Sequence, residues 1–366
     1  MPDLFRSAKA GLARVKNYQP GKPIEELERE YGVRNAIKMA SNENALGPSP
    51  KAVAALRKNL NRVHRYPDGG CFYLRQKLAK FLSVAPENLV FGNGSDELLV
   101  FAVRALALAE DEVIIADPTF LIYEIASAVE GAKIIKVPMK NFHYDLNGMK
   151  NKITQRTKLI FIANPDNPVG SYCSTKDLRF FLESIPNHVV VVLDEAYYEF
   201  AKVKKDYPNT IAWLSEFDNL IITRTFSKAY GLSGLRVGYA VTSLALANTL
   251  NKVREPFNVN LLAQEAAVAA LDDKAHLAKT QSMIQSGRVF LYRELKKIGV
   301  ETVETVTNFI LADLKRDAKG IYESLLRLGV IVRPMSPWGM ESFIRVTIGK
   351  SNENKRFVEA LKRSLK

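Results

Sequence analysis

Lys228 stands in a run, Thr225–Gly238 (TFSKAYGLSGLRVG), that places Thr225, Ser227 and Arg236 close by in sequence. A lysine amine becomes a useful nucleophile only when its surroundings make it one. It then condenses with aldehydes, above all with pyridoxal phosphate. The two hydroxyls and the guanidinium are the groups that would hold such a cofactor's phosphate. The preceding run Leu220–Thr223 (LIIT) reads as a short buried strand. Lys228 therefore falls on the loop at a strand end, where open α/β sheets put their ligand chemistry. Taken alone, a lysine beside a serine and a threonine is more often a solvated surface group, so the partners have to come from the rest of the chain.

Val189–Leu193 (VVVVL) is a continuous apolar run of the kind buried on both faces of a parallel sheet, and it ends in Asp194. A carboxylate capping a buried strand is costly unless paired. It is either a helix cap or structural ion pair, or the partner of a cation in a cleft, such as a pyridinium nitrogen. Tyr197 follows three residues on. Lys158–Ala163 reads as a strand running into Asn164–Gly170 (NPDNPVG), whose two X–Pro steps force an extended, sharply turned loop carrying the Asn167 amide. Asn88–Phe91 runs into Gly92–Asp96 (GNGSD) and then a helix over Glu97–Leu108. A strand, a glycine turn and a helix start make an anion cradle of backbone N–H groups and the helix dipole. Ser95 and Asp96 there are equally plain N-caps.

The elements that position these residues alternate. Strands over Val113–Ala116, Lys133–Val137 and Val237–Val241 and helices over Phe72–Leu82, Leu121–Val129, Thr175–Ile185 and Leu244–Val253 continue a β/α rhythm. Before it, Leu4–Val15 and Ile24–Tyr31 read as helices and Ile37–Ala40 as a strand. After it, long helices over Asn260–Leu271 and His276–Ile298 lead to strands at Phe309–Asp313, Val330–Arg333 and Phe343–Thr347, with Arg333 and Arg345 placed at strand ends. This predicts an N-terminal segment 1–45 completing a small domain, a large domain 46–254, and a small α+β domain 255–366 that includes the long connecting helix.

At 366 residues with 47% hydrophobic residues, a sizeable core is expected. Lys and Arg are spread along the chain despite a formal charge of +13, which favours a basic surface and small anionic substrates over nucleic acid. No apolar run spans a bilayer, Met1–Leu12 carries no signal-peptide pattern, and Cys71 and Cys173 are isolated, so no membrane partner and a cytoplasmic setting are expected. The four histidines are scattered, and no metal site is expected.

With these residues in place the chain resembles the fold-type I pyridoxal-phosphate aminotransferases, and within them the histidinol-phosphate aminotransferase family. The likeness runs from YQPGKPIEEL through ASNENALGPSP, RYPDGGCFYLR, NGSDE, NPDNPVG, DEAYYEF, TFSKAYGLSGLRVG and REPFNVN to FIRVTIG. It implies a large domain with a mixed, mostly parallel sheet flanked by helices plus a smaller α+β domain, and pyridoxal 5'-phosphate as cofactor. It implies that Lys228 bonds the cofactor and shuttles the proton, that Asp194 pairs with the ring nitrogen, and that Asn167 and Tyr197 hydrogen-bond its 3-oxygen. Ser95, Asp96, Thr225, Ser227 and Arg236 would surround the phosphate, and Phe120, where many relatives carry tyrosine, would stack on the ring. Tyr66 would reach the neighbouring subunit's cofactor, which implies a homodimer with shared sites. Arg345 would grip a substrate carboxylate or phosphate, helped by Arg333, Tyr18 and Asn42. The implied reaction converts L-histidinol phosphate and 2-oxoglutarate to imidazole acetol phosphate and L-glutamate. Alternatives on the same scaffold are an aromatic amino-acid aminotransferase and a phosphothreonine decarboxylase; from a different class, a non-catalytic cofactor-binding regulator.

Overall fold

The computed structural model describes residues 9–15, 17 and 19–366. Its strands in chain order are β1 (Ile37–Lys38), β2 (Leu89–Gly92), β3 (Glu112–Asp117), β4 (Lys133–Pro138), β5 (Thr157–Ala163), β6 (Val190–Asp194), β7 (Leu220–Thr225), β8 (Gly238–Thr242), β9 (Glu301–Thr302), β10 (Phe309–Asp313), β11 (Val330–Ile331), β12 (Arg333–Pro334) and β13 (Phe343–Thr347). Seven of them form one sheet in the order β2-β8-β7-β6-β5-β3-β4. β8 runs antiparallel to both neighbours, and the remaining pairs are parallel.

The central strands β5, β6 and β7 are apolar because both faces are covered. Phe161, Val192 and Ile221 pack on one side with Leu98, Phe101 and Tyr123. Ile160, Val191 and Ile222 pack on the other with Leu178, Phe181 and Trp213. Each fully buried aliphatic side chain of this kind contributes about 1.5–3 kcal/mol. The register sets Ala163 beside Asp194 and Asp194 beside Thr223, so these strands end together, and their loops open at one edge.

The C-terminal strands form a separate antiparallel sheet, β12-β13-β10-β9, over a core around Phe309, Ile344, Val346, Phe357 and Leu361 that also takes in Met39, Tyr197, Phe200 and Ala229. β1 pairs in parallel with β11, which joins residues 37–38 to this C-terminal part.

The structure corrects several expectations. Val330–Arg333 is not one strand: β11 pairs with β1 and β12 with β13, so the chain changes partner at Val332. Arg345 lies in the middle of β13, not at its end, with Ile344 and Val346 turned into the core and the arginine on the alternate face. Ala10–Arg14 is a 3-10 helix; the rest of the helix expected over Leu4–Val15 lies partly outside the described residues. Short helices at Leu146–Asn151 and Tyr198–Ala201, and the two-residue β9, escape sequence reading because each is too short for a periodic pattern.

Candidate active site

The carboxyl ends of β5, β6 and β7 border a cleft whose lining also includes Arg333, Trp338 and Arg345. Of the expected residues, Asn42, Ser95, Asp96, Phe120, Asn167, Asp194, Tyr197, Thr225, Ser227, Lys228, Arg236, Arg333 and Arg345 all line it. Tyr18 lies outside the described residues. Tyr66 is 82% exposed and stacks on Phe257 at 4.8 Å, away from the cleft of its own chain.

Lys228 extends from the loop after β7, with Nζ 3.4 Å from the Ser41 carbonyl and 5.7 Å from the Tyr197 ring centre. Desolvation and then the nearby Arg345 lower its amine to about 8, so a reactive neutral fraction exists near neutral pH. Asp194 ends β6 and is 5% exposed. Its carboxylate accepts from the Tyr123 hydroxyl at 2.9 Å and the Ala196 N–H at 3.1 Å. Burial pushes it up to about 6, against the pull of the Tyr123 hydrogen bond. A buried carboxylate held only by neutral donors at a cleft wall is suited to a cationic ligand atom.

Tyr197 accepts from Asn42 Nδ2 at 2.9 Å, which leaves its own hydroxyl proton to donate. Asn167 Oδ1 accepts from Arg345. An arginine can only donate, so this contact fixes the amide's orientation and leaves Nδ2 as a donor. Arg345 also donates to the Ala40 carbonyl at 2.9 Å and lies 5.1 Å from the Phe309 ring centre. Arg333 stands directly opposite Arg345 in the β12–β13 register and packs 5.4 Å from the Trp338 ring centre. Two guanidiniums side by side make a site for a carboxylate or phosphate.

At the other end of the cleft, the helix Ser95–Leu106 points its N-terminus inward. Its N-cap is Gly94, so Ser95 and Asp96 are the first helical residues and not caps. Gly94 has φ +87°, and a Cβ there would overlap the Arg236 guanidinium; a Cβ on Gly238 would come within 2.5 Å of the Ser95 nitrogen. These glycines let the helix start and Arg236 close on one small space. Arg236 Nη1 reaches Ser227 Oγ at 3.3 Å and Nη2 reaches Asp96 Oδ2 at 3.4 Å, while Thr225 Oγ1 accepts from the Ser227 N–H at 3.1 Å. Among the described residues no group of His, Cys, Asp and Glu could hold a metal ion.

Sequence reading missed Tyr123, Ser41 and Trp338, which also belong to this cleft or touch its key groups. Tyr123 sits three residues beyond Phe120 on one helix turn, a spacing that was available as a signal. Nothing local marks Trp338, which arrives from the C-terminal sheet and donates from Nε1 to the Thr119 carbonyl at 2.7 Å.

A lysine amine, a buried carboxylate and an anion cradle on the strand ends of a mixed seven-stranded sheet are the arrangement of an aminotransferase, and the family model for aminotransferase class I and II matches residues 34–361. A histidinol-phosphate aminotransferase of Moorella thermoacetica is 48% identical, covering 97% of this chain and 92% of the relative. Histidinol-phosphate aminotransferase 1 of Nitrosococcus oceani is 47% identical, covering 98% and 96%. The chain belongs to the histidinol-phosphate aminotransferase family. The crystal structure of histidinol-phosphate aminotransferase from Sinorhizobium meliloti in complex with pyridoxal-5'-phosphate superposes with a TM-score of 0.90 at 30% identity, covering 98% of each chain.

Proposed function

We propose that this protein transfers an amino group from L-histidinol phosphate to 2-oxoglutarate, giving imidazole acetol phosphate and L-glutamate, with pyridoxal phosphate as its cofactor. The residues present fit that cofactor. The glycine-lined space between Arg236 and the Ser95 helix start suits its phosphate, and the neutral-partnered Asp194 suits its ring nitrogen. When bound, it supplies an electron-withdrawing ring that stabilises negative charge on the substrate carbon losing its proton.

The protein's own residues do the rest. Asp194 would hold a proton at the ring nitrogen. The Tyr197 hydroxyl and Asn167 Nδ2 would donate to the ring oxygen, and Phe120 would pack against the ring. Ser95, Asp96, Thr225, Ser227 and Arg236 would enclose the phosphate. Lys228 Nζ, kept partly neutral by burial, takes the proton from the substrate α-carbon and returns it. Arg345 and Arg333, with Asn42 and Tyr18, bind the substrate's anionic end. The observation that carries this reading is the convergence of Lys228, Asp194, Asn167 and Arg236 on one cleft facing paired arginines.

The working form is proposed as a cytoplasmic homodimer. Leu60, Val63, Tyr66, Phe72, Tyr73 and Phe257 are exposed apolar residues clustered in two stretches joined by the Tyr66–Phe257 stack, which suits a second copy. Tyr66 from that copy would complete the phosphate site. Both cysteines are buried free thiols, in keeping with a reducing compartment. The division into 1–45, 46–254 and 255–366 is supported by the β1–β11 pairing and by the separate C-terminal sheet.

The test is an absorption spectrum of the holoenzyme. L-Histidinol phosphate should abolish the visible cofactor band and 2-oxoglutarate restore it, and Lys228→Ala should lose transamination. A band that ignores histidinol phosphate but responds to phenylalanine or tyrosine would move the substrate to aromatic amino acids. Carbon dioxide release from phosphothreonine would move the reaction to decarboxylation.

A further inference from the structure

Behind the cleft wall lies a buried carboxylate with no part in the chemistry above. Asp166 is fully buried, is absent from the cleft lining, and has only neutral hydrogen-bond partners. Its Oδ2 accepts from Thr119 Oγ1 at 2.8 Å and from the Tyr144 hydroxyl at 3.0 Å, and its Oδ1 accepts from the Val169 N–H at 3.0 Å. Tyr144 in turn accepts from the Ala163 N–H at 2.9 Å. Several of these contacts border residues that line the cleft, among them Phe120, Ala163 and Asn167. Asp166 precedes Asn167, and Thr119 precedes Phe120. The Thr119 carbonyl accepts a hydrogen bond from Trp338 Nε1, and Asn167 Oδ1 accepts one from Arg345. The Thr119 and Tyr144 hydroxyls also lie 3.0 Å from each other, so the three side chains form one closed cluster. Burial pushes Asp166 up to about 7, while those same hydrogen bonds pull it down.

We propose that Asp166 is a positioning residue: with Thr119 and Tyr144 it fixes the loop that carries Asn167, through Asn167 it aims the Arg345 guanidinium, and it ties both to the segment bearing Phe120, onto which Trp338 docks. A buried carboxylate without a cation is an expensive means of holding a loop. Its return is that one group accepts from three chain segments at once. Asn167 must be held at both ends of its amide, Oδ1 toward Arg345 and Nδ2 toward the ring oxygen, so a small rotation of this loop degrades both contacts. The inference rests on the cofactor-site reading given above, and the test separates the two.

Asp166→Asn keeps the shape and puts an NH2 group where the carboxylate accepted two hydroxyl protons. Asp166→Asn, Tyr144→Phe, Asn167→Ala and the Asp166→Asn/Asn167→Ala double variant are compared as holoenzymes. The readouts are the pH midpoint of the bound cofactor's visible band and the KM for 2-oxoglutarate, separated from kcat. Asp166→Asn is expected to move the midpoint in the same direction as Asn167→Ala and to raise KM by about ten-fold, as a displaced positioning group does. Tyr144→Phe should move both in the same sense by less. Because Asp166 acts through Asn167, adding Asp166→Asn to Asn167→Ala should change KM by no more than about two-fold and leave the midpoint where Asn167→Ala puts it. The inference is overturned if Asp166→Asn and Tyr144→Phe leave both readouts at wild type, or if the Asp166→Asn effect adds in full to that of Asn167→Ala. A silent Asn167→Ala would instead bring down the cofactor-site reading, and this inference with it. Should Asp166→Asn fail to fold, Tyr144→Phe, which removes one hydroxyl and keeps the ring, decides the matter on the same readouts.

Discussion

Lys228 shows how far burial, helped by a neighbouring cation, changes a side chain's chemistry. Its amine falls from the ordinary 10.5 to about 8, first through desolvation and next through Arg345, against the opposing pull of Asp96. For a base lowered in this way, the unfolded chain holds more protons than the folded one between about pH 8 and 10.5, so this group's contribution to stability rises with pH across that window. The same shift governs reactivity. Mixing cofactor-free protein with pyridoxal phosphate at increasing pH should give an absorbance-monitored association rate that climbs through a midpoint near 8. A midpoint near 10 would mean that the lysine is solvated. Asp194 is shifted the opposite way, up to about 6, by burial. The Tyr123 hydroxyl limits that rise.

At the scale of elements, two devices hold the groups in place. The first is the helix start at Ser95, where Gly94 adopts φ +87° and leaves room for Arg236. Gly94→Ala should strain the backbone and displace the guanidinium, weakening pyridoxal phosphate binding by about ten-fold or more in equilibrium titration of the cofactor-free protein, a loss that two or three misplaced phosphate contacts would produce. The fold itself should persist by circular dichroism. The second is the buried ion pair between Glu195, directly after β6, and Arg224, near the end of β7. Arg224 Nη2 lies 2.8 Å from Glu195 Oε2, Thr210 Oγ1 donates to Glu195 Oε1, and the Tyr198 ring centre is 3.4 Å from the guanidinium carbon. It locks together the strand ends that carry Asp194 and Lys228. Removing one partner of a buried pair strands the other charge, so Arg224→Ala should cost about 3–5 kcal/mol in denaturant unfolding. A loss below 1 kcal/mol would show that water reaches the pair.

For the whole molecule, the proposed dimer makes each site a shared one, and mixed dimers expose this. Lys228→Ala and Tyr66→Ala proteins, each impaired alone, should regain activity when unfolded and refolded together. A mixed dimer holds one site with its own Lys228 and the other chain's Tyr66, both intact. If the mixture stays as inactive as its parents while sedimentation shows mixed dimers, Tyr66 does not serve the neighbouring site. A monomer by sedimentation would leave the exposed patch around Tyr66, Phe72 and Tyr73 without its proposed partner.

What the sequence determined by itself was the groups whose neighbours are local. Lys228 with Ser227 and Arg236, Asp194 after four valines, Asn167 between two prolines and the glycine turn before Ser95 are each written in fewer than fifteen residues. A strand followed by a loop leaves the functional side chain little choice of place. The order of the strands and the approach of distant segments were left to the tertiary structure. It split Val330–Arg333 between two sheets, because β1 and β13 compete for adjacent backbone. It moved Arg345 to the middle of a strand facing Arg333 and brought Trp338 onto Thr119, 219 residues away in sequence. It also assembled Thr119, Tyr144 and Asp166 into one buried cluster. Hydroxyls, tryptophans and lone carboxylates carry no periodic signal. What they do depends on which donors and acceptors the folded chain leaves unmatched nearby, and that is settled only when the layers close.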